Sequence, residues 1–139
     1  MAATMAATFE LEVATPDRLL VKDQVTDAHI PGLGGYLGVL PEHAPLLSEL
    51  GSGLLSYTIG GKSHSVVVSG GWVEILPAST RVLAASAERP DEIDLKRAQE
   101  SLDRAERRLK EAGDWDIVRT LRAAERARAR VEAASKVRG

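Results

Sequence analysis

The alternation of apolar and polar side chains divides this chain into two parts. In residues 9–13 apolar and charged positions alternate with period two, which is typical of a strand that buries one face. Gly, Pro and Asp then interrupt similar short runs about every ten residues, a spacing that predicts an antiparallel sandwich or barrel. The predicted strands are residues 9–13, 18–22, 24–30, 54–59, 63–69, 72–76 and 81–86.

Paired glycines mark the reversals of the chain in this first part. Gly60 and Gly61 separate two strand-like runs, and the favoured two-residue hairpin turn needs positive φ at both central positions. We therefore predict a tight hairpin there. Gly70 with Gly71, and then residues 77–80, predict the next two reversals.

Beyond Pro90 the apolar period changes from two to between three and four. This pattern predicts a helix from Asp91 or Asp94, both good N-cap residues, to Glu111. Gly113 predicts a stop, so a second helix is expected from about Trp115 to Ser135 in an antiparallel hairpin. The stripe of the first helix is Leu95, Ala98, Leu102, Ala105, Leu109 and Ala112, and that of the second is Ile117, Leu121, Ala124 and Val131.

Both helical stripes are rich in alanine, which buries little apolar area. Full burial of a leucine stabilises by about 1.5–3 kcal/mol, and few large side chains are available, so the hairpin alone is expected to be marginal. It needs a surface to lie on. The β domain, another subunit, or each in turn could supply that surface, which makes the hairpin a candidate two-state element.

Composition and charge narrow the class of protein. Ten of the twelve glycines precede Pro90, whereas residues 91–139 carry thirteen basic and eleven acidic side chains. The 139 residues therefore suit a small β domain, residues 9–89, followed by a charged helical domain, residues 90–139. Neither half has the one-signed charge that non-specific nucleic-acid binding relies on.

Residues 1–8 are expected to be disordered. No window of the sequence approaches the roughly 18 consecutive apolar residues of a membrane span, so membrane association is expected only through a partner.

A glycine-rich stretch, residues 31–53, stands apart from the strands. Four glycines lie within residues 32–38, among the apolar side chains of Leu33, Tyr36 and Leu37. A phosphate cradle needs a following helix, and two nearby prolines argue against one. Tight turns with a β-bulge are the favoured interpretation, and contact with another protein is the alternative.

The histidines and serines give no catalytic or metal constellation. His29, His43 and His64 are the only histidines, and no cysteine or paired carboxylate accompanies them at ligand spacing. His43, between two prolines, is expected to hydrogen-bond within its loop or to contact a partner. The nucleophile-elbow motif of hydrolases is also missing. A non-catalytic protein is therefore the prediction.

Arginines are concentrated on one face of the helical part. Arg119, Arg122, Arg126 and Arg130 form a stripe on the second helix, and an antiparallel hairpin brings Arg97 and Arg104 of the first helix towards it. Converging guanidinium groups suit a phosphate ligand. The alternative is a solvated face, which spacing alone favours. It would be neutralised by Glu100, Asp103, Glu106 and Glu125 through pairs three or four residues apart.

Three motifs in order closely resemble one family. Residues 35–48 (GYLGVLPEHAPLLS), 69–77 (SGGWVEILP) and 93–98 (IDLKRA) resemble the epsilon subunit of the bacterial F-type rotary ATP synthase, and the resemblance runs from about Phe9 to the C-terminus. It implies a flattened antiparallel β-sandwich of about ten strands followed by a two-helix hairpin. It also implies a non-catalytic central-stalk subunit that binds the gamma subunit and the c-ring on the cytoplasmic face of the bacterial inner membrane.

The resemblance also assigns roles to residues. The segment with Leu33, Gly35, Tyr36 and Leu37 would face the c-ring, with a more apolar contact than is usual, and His43 would lie near gamma. The hairpin would fold on the sandwich or extend to the catalytic beta subunits, where the stripe Arg119, Arg122, Arg126 and Arg130 would hinder ATP hydrolysis. No cofactor is required. ATP as a regulatory ligand would bind Glu88, Asp94, Arg97, Arg104, Arg126 and Arg130, and a stand-alone ATP sensor is the alternative function.

Overall fold

Residues 9–88 form a sheet, and residues 95–110 and 117–138 form two helices. A computed structural model describes residues 7–111 and 117–138; the expected disordered start at residues 1–8 falls mostly outside this part. The strands are β1 (Phe9–Ala14), β2 (Leu19–Val25), β3 (Asp27–Gly32), β4 (Gly35–Val39), β5 (Leu46–Glu49), β6 (Ser52–Ile59), β7 (Lys62–Ile75) and β8 (Ser79–Glu88). A 3₁₀ turn (Pro90–Glu92) leads to helices α1 (Leu95–Lys110) and α2 (Ile117–Arg138).

The eight described strands belong to one continuous sheet that folds over around a common core. Seven follow the order β2-β1-β8-β7-β6-β3-β4, and β5 pairs with β7. Strands from both ends of this order place their alternate residues in the same core, with Phe9 and Leu11 at one end and Ile30 and Val39 at the other. The predicted sandwich is confirmed. It has eight strands rather than about ten, and one pair, β1 with β8, is parallel.

The turn predictions fare differently at the two glycine pairs. Gly60 and Gly61 have φ values of 54° and 79° and join β6 to β7, so the predicted hairpin is confirmed. The reversal predicted at Gly70 and Gly71 is wrong. Strand β7 runs straight through both residues and changes partner there, from β6 to β5, because one long strand serves both halves of the folded sheet.

Two strands lie in the stretch that we had set apart from the sheet. The chain turns at Leu33 and Gly34, and β4 then pairs antiparallel with β3. Strand β5 follows the two prolines and pairs with β7. Glycine and proline mask the alternation that identifies strands, so sequence periodicity missed both elements.

Helix α1 begins where its cap residue predicts. The Asp94 carboxylate accepts a hydrogen bond of 3.2 Å from the amide of Arg97, three residues on, and so satisfies one of the free amides of the first turn. Of the two N-cap candidates, Asp94 is therefore the one used. Asp91 lies in the preceding 3₁₀ turn.

The helical hairpin lies folded against the outer face of the sandwich. A second apolar cluster, separate from the core, joins Val67 of β7 and Ile93 to small side chains of both helices. Because alanine is short, α2 approaches the sheet closely. The alanines of this cluster are Ala98, Ala129, Ala133 and Ala134.

The predicted inner face of α2 is only half right. Ala124 is fully buried and Val131 packs against the second cluster, but Ile117 and Leu121 are 49% and 45% exposed. Helix α2 lies so close to α1 and to the sheet that only small side chains fit between them, so alanines occupy these positions. The larger apolar side chains in the first turns of α2 project outward. The predicted stripe on α1 includes buried Ala98, Leu102 and Ala105, whereas Ala112, Gly113 and Trp115 lie outside the described residues.

Candidate functional site

A single bidentate ion pair joins the hairpin to the end of the last strand. Arg130 donates to Glu88 from Nε to Oε1 over 2.8 Å and from Nη2 to Oε2 over 3.3 Å. Both side chains are about one-third exposed, at 31% and 34%. This contact places the guanidinium of Arg130 over the junction between the two parts of the chain.

The larger of two adjoining cavities lies between α1, α2 and the end of β8. Its volume is about 680 Å³, within the usual range of small-ligand sites. Five arginines line it against a single carboxylate, Glu88, which Arg130 already engages. The cavity is therefore strongly cationic and suits a polyanion. The five arginines are Arg104, Arg108, Arg119, Arg126 and Arg130.

The smaller cavity, of about 520 Å³, is electrically balanced. Three carboxylates and three arginines line it, and it shares Arg104 and Arg130 with the larger one. The carboxylates are Glu92, Asp94 and Glu100, and the third arginine is Arg97. The larger cavity therefore attracts anions more strongly than the smaller one, whose lining carries no net charge.

The structure thus brings all six residues of the expected ATP site to one pair of cavities. Glu88 and Arg126 line the larger cavity, Asp94 and Arg97 the smaller, and Arg104 and Arg130 both. Asp94 is engaged as the cap of α1. Arg104 donates to Ser101 Oγ over 3.1 Å, which orients its side chain along the boundary between the cavities.

The pairs that would neutralise this face do not form within the described part of the chain. Of the four acidic residues considered, Glu106 alone forms an ion pair, over 4.0 Å, and its partner is Arg128 rather than an arginine of either cavity. Asp103 instead accepts a hydrogen bond from Gln99. The guanidinium groups around the larger cavity therefore keep most of their positive charge unpaired.

The stripe Arg119, Arg122, Arg126 and Arg130 borders the clefts around the folded hairpin, with the first three side chains exposed and Arg130 half-buried. Three of its members line the larger cavity. Arg122 lines a further cavity of about 560 Å³ that lies against the sheet, together with Arg126, Trp72 and Leu33. A partner that uses all four arginines would therefore have to displace Glu88 from Arg130.

The residues expected to face a ring of partner subunits lie at the turn between β3 and β4. Leu33 and Tyr36 are 56% and 59% exposed, and Gly35 has a φ of 137°. The Tyr36 hydroxyl accepts a hydrogen bond of 3.2 Å from the amide of Leu54, which holds its ring across the sheet. Leu37 is half-buried and packs partly against the core.

His43 lies apart from this turn. Its Nδ1 is 2.6 Å from the carbonyl oxygen of Ala44, and its amide donates to Leu40 over 3.2 Å. Glu42, beside it, has a φ of 67°, a left-handed conformation that is uncommon for a residue with a side chain. The predicted hydrogen bonding of His43 within its loop is confirmed.

An exposed apolar row crosses four strands of the sandwich. In the sheet register Ala14 pairs with Leu19 and with Leu83, and Leu83 pairs with Trp72. Leu19, Leu83 and Trp72 are 52%, 53% and 50% exposed. Neighbouring cross-strand side chains lie about 5 Å apart, so these residues form one continuous surface of the kind that marks protein contacts.

A network of charged groups fixes the 3₁₀ turn to the sandwich. Arg18 binds the Glu92 carboxylate from both terminal nitrogens, over 2.8 and 3.1 Å, and the Arg89 amide donates to the same carboxylate over 2.9 Å. The Arg18 guanidinium, and then the Arg89 amide, hold the pKa of Glu92 below its ordinary value. The same hydrogen bond raises the pKa of Arg18.

Sequence reasoning missed Arg108 as a cavity residue and Arg18 as a partner of the turn. Arg108 follows Arg104 by one helical turn, so its position on the same face was available from the spacing. Arg18 is 74 residues from Glu92, and no local pattern signals such a contact.

Within residues 7–111 and 117–138, no helix is long and apolar enough to cross a membrane. In the same ranges, no group of three or more histidine, aspartate or glutamate side chains is placed to hold a metal ion.

Both parts of the chain match models of one protein family. Residues 8–90 match the ATP synthase delta/epsilon chain β-sandwich domain, and residues 91–135 match the ATP synthase delta/epsilon chain long α-helix domain. The ATP synthase epsilon chain of Solibacter usitatus is 50% identical over 133 residues, which cover 95% of this chain and 99% of the relative. That of Koribacter versatilis is 51% identical over 109 residues, covering 78% and 77%.

Solved structures with the same fold come from mitochondrial ATP synthases. A chain of the Euglena gracilis assembly of OSCP, F1 and c-ring matches with a TM-score of 0.78 and 24% identity, covering 96% of this chain and 84% of that one. A chain of the Tetrahymena thermophila central stalk and c-ring matches with a TM-score of 0.59 and 15% identity, covering 98% and 100%. At these identities the likeness shows a shared fold.

Proposed function

Because this chain belongs to the epsilon-chain family of ATP synthases, we propose that it is a non-catalytic rotor subunit whose hairpin regulates ATP hydrolysis and senses ATP. In this function the sandwich binds the gamma subunit and the c-ring at the cytoplasmic face of the bacterial inner membrane. The hairpin moves between the sandwich and the catalytic beta subunits. The membrane is reached only through the complex.

The observation that carries the proposal is how the hairpin is held. Among the described residues, its contact with the sandwich is centred on a small alanine-rich cluster and the ion pair of Arg130 with Glu88. Partly exposed ion pairs contribute at most about 1 kcal/mol, and alanines bury little area. Such a contact is weak enough for a ligand or a partner surface to shift its equilibrium.

ATP sensing is supported by the two cavities beneath the hairpin. A triphosphate in the larger cavity would contact arginines of both helices, Arg104 and Arg126 among them, and so bind only the folded hairpin. ATP would therefore favour the folded state by the difference between its affinities for the two states. Rising ATP would then release inhibition of the catalytic subunits.

Calorimetric titration of the full chain with ATP tests the sensing role. We expect Arg126→Met to weaken ATP binding by about tenfold or more, the size of a lost charge-assisted contact. The matched control is Arg128→Met, because Arg128 is two residues further on, is exposed and lines neither cavity. No heat of binding with the unmodified chain would remove the sensing role and leave the rotor role standing.

The rotor role is supported by the exposed apolar row of Leu19, Leu83 and Trp72. We propose that gamma covers this row, because an apolar surface that crosses four strands is costly to leave in water. Co-purification with gamma should fall sharply for Leu83→Asp and persist for Arg81→Asp, a neighbouring exposed position on the same strand. Equal loss in both variants, or in neither, would contradict this assignment.

The inhibitory role is proposed for the extended hairpin. The stripe Arg119, Arg122, Arg126 and Arg130 would then meet acidic loops of the beta subunits, through an electrostatic attraction that salt screens.

A stand-alone ATP sensor is the second candidate function, favoured by the cationic cavity alone. Gamma binding separates the two functions, because a stand-alone sensor has no reason to bind it.

A further inference from the structure

The linker between β8 and α1, residues 89–94, packs against both α2 and the sandwich, and its 3₁₀ turn is hydrogen-bonded by side chains to the sandwich. Arg18 donates hydrogen bonds from both terminal nitrogens to the Glu92 carboxylate, and it also donates to the Ala87 carbonyl over 3.2 Å. Arg89 donates its amide to Glu92 and its Nη2 to the Leu20 carbonyl over 3.0 Å. The residues up to Glu92 are therefore tied to strands β2 and β8.

The anchor of this network is itself fixed. Arg18 ends the turn between β1 and β2, where its amide donates to Thr15 Oγ1 over 3.2 Å and its carbonyl accepts from the Thr15 amide over 2.9 Å. The planar guanidinium fork itself loses little freedom for each hydrogen bond that it forms with a carboxylate. The pair with Glu92 is thus well placed to act as a structural constraint.

The next residues belong to the hairpin. Ile93 is 3% exposed and packs among the alanines of both helices and Val67 of β7, and Asp94 caps α1. Both have extended backbones, with ψ values of 127° and 104°. The boundary between the part tied to the sandwich and the part tied to the helices therefore falls between Glu92 and Asp94.

From this arrangement we propose that Arg18, Arg89 and Glu92 form a clamp that confines the pivot of the hairpin to Ile93 and Asp94. The clamp makes Arg18 a positioning residue for the two cavities. Glu88 lies before the clamped turn, and Asp94 and Arg97 lie after it, so the turn sets the spacing between the cavity walls. Arg18 itself lines neither cavity.

Hydrogen exchange of the full chain tests the clamp directly. In Arg18→Met the amides of Arg89, Glu92 and Ile93 should exchange about fivefold faster, the change expected when an exposed bidentate pair is lost. Arg81→Met is the matched control, because Arg81 forms a similar exposed pair with Glu12 over 3.0 Å, away from the linker. Core amides of β6 and β7 report whether each variant remains folded.

A conservative variant separates geometry from charge. Arg18→Lys keeps the positive charge but lacks the planar fork, so its linker amides should exchange nearly as fast as those of Arg18→Met. If Arg18→Met is poorly folded, hydrogen exchange is measured in Arg18→Lys and Glu92→Gln instead. Linker exchange at the unmodified rate in the folded variants would overturn the proposal.

The positioning of the cavities has its own measurement, which rests on the proposed ATP binding. Arg18→Met should lower the affinity for ATP about threefold to fivefold, whereas Arg81→Met should leave it unchanged. If the unmodified chain binds no ATP, the proposed sensing fails while the exchange result still decides the clamp. If ATP binds equally well to all three proteins although the linker of Arg18→Met exchanges faster, the clamp does not position the cavities.

Discussion

At the scale of single residues, the fold depends on a few contacts that only one side chain satisfies. The sheet register places Gly71 of β7 opposite Ala84, and a Cβ added at this glycine would collide with the carbonyl oxygen of Leu83. Its φ of 117° is also a conformation that residues with side chains rarely adopt. The requirement for glycine was visible in the sequence, but the reason, a strand that crosses between two halves of a sheet, was not.

Replacing Gly71 should therefore be among the most damaging small changes in the sandwich. We expect Gly71→Ala to lower the free energy of unfolding by about 3 kcal/mol or more, from backbone strain and collision together. Chemical denaturation measures this. Gly34→Ala is the control, because a Cβ there meets nothing within 4 Å, and it should change stability by less than about 1 kcal/mol. Equal effects at the two sites would contradict the collision.

Glu92 gives the linker a dependence on pH. Its pKa is lowered in the folded chain, chiefly by the Arg18 hydrogen bond. The stabilisation is therefore fully present above the ordinary pKa of 4.5 and is lost as the pH falls through the lower folded value. An NMR titration of the Glu92 carboxyl should show the lowered midpoint, and Arg18→Met should return it towards 4.5. An unchanged midpoint in that variant would assign the shift to another group.

At the scale of elements, periodicity identified the helices better than it identified the strands or the buried faces. The start of α1 and its buried residues Ala98, Leu102 and Ala105 follow the predicted stripe. Strands β4 and β5 were missed because glycines and prolines interrupt their alternation. The buried face of α2 was misjudged at Ile117 and Leu121, since periodicity cannot tell that the closest packing would select alanines.

The same close packing predicts how the hairpin can be detached. Ala133 is fully buried between α2 and the sheet, so Ala133→Leu should overpack this contact at a cost of about 1–3 kcal/mol and separate the hairpin from the sandwich. Distance measurements between probes on the sandwich and on α2 would detect the separation. Ser135→Leu is the control, since residue 135 is exposed. If the hairpin stays docked in Ala133→Leu, the sheet surface has rearranged to accommodate the larger side chain, and this prediction is wrong.

At the scale of the whole molecule, the candidate site exists only because two parts of the chain meet. The sequence predicted the arginines on both helices, and the resemblance assigned them to ATP. The volume and charge of each cavity depend on how the hairpin seats against β8, which involves Glu88 and Arg130 at 42 residues' separation. Such a contact leaves no local pattern, so the division into a cationic and a balanced cavity needed the structure.

Removing the hairpin tests the independence of the two parts. A chain that ends after Glu92 keeps the sandwich core and the clamp with Arg18, so we expect it to stay folded and to bind gamma. If the hairpin inhibits, ATP hydrolysis by the assembled complex should rise. Hydrogen exchange of the sheet and ATPase assays measure these outcomes. Unchanged hydrolysis would show that the hairpin is not inhibitory, and loss of sheet protection would show that the sandwich depends on it.

The parallel pairing of β1 with β8 also sets the order in which the protein can form during synthesis. This pairing joins residue 10 to residue 79, so the first two strands have only each other until most of the sandwich has left the ribosome. An isolated pair of strands is marginal in water, and such distant contacts form slowly. The sandwich therefore closes late, only after β8 has been made, and the hairpin is synthesised after every strand of the sheet that it packs against.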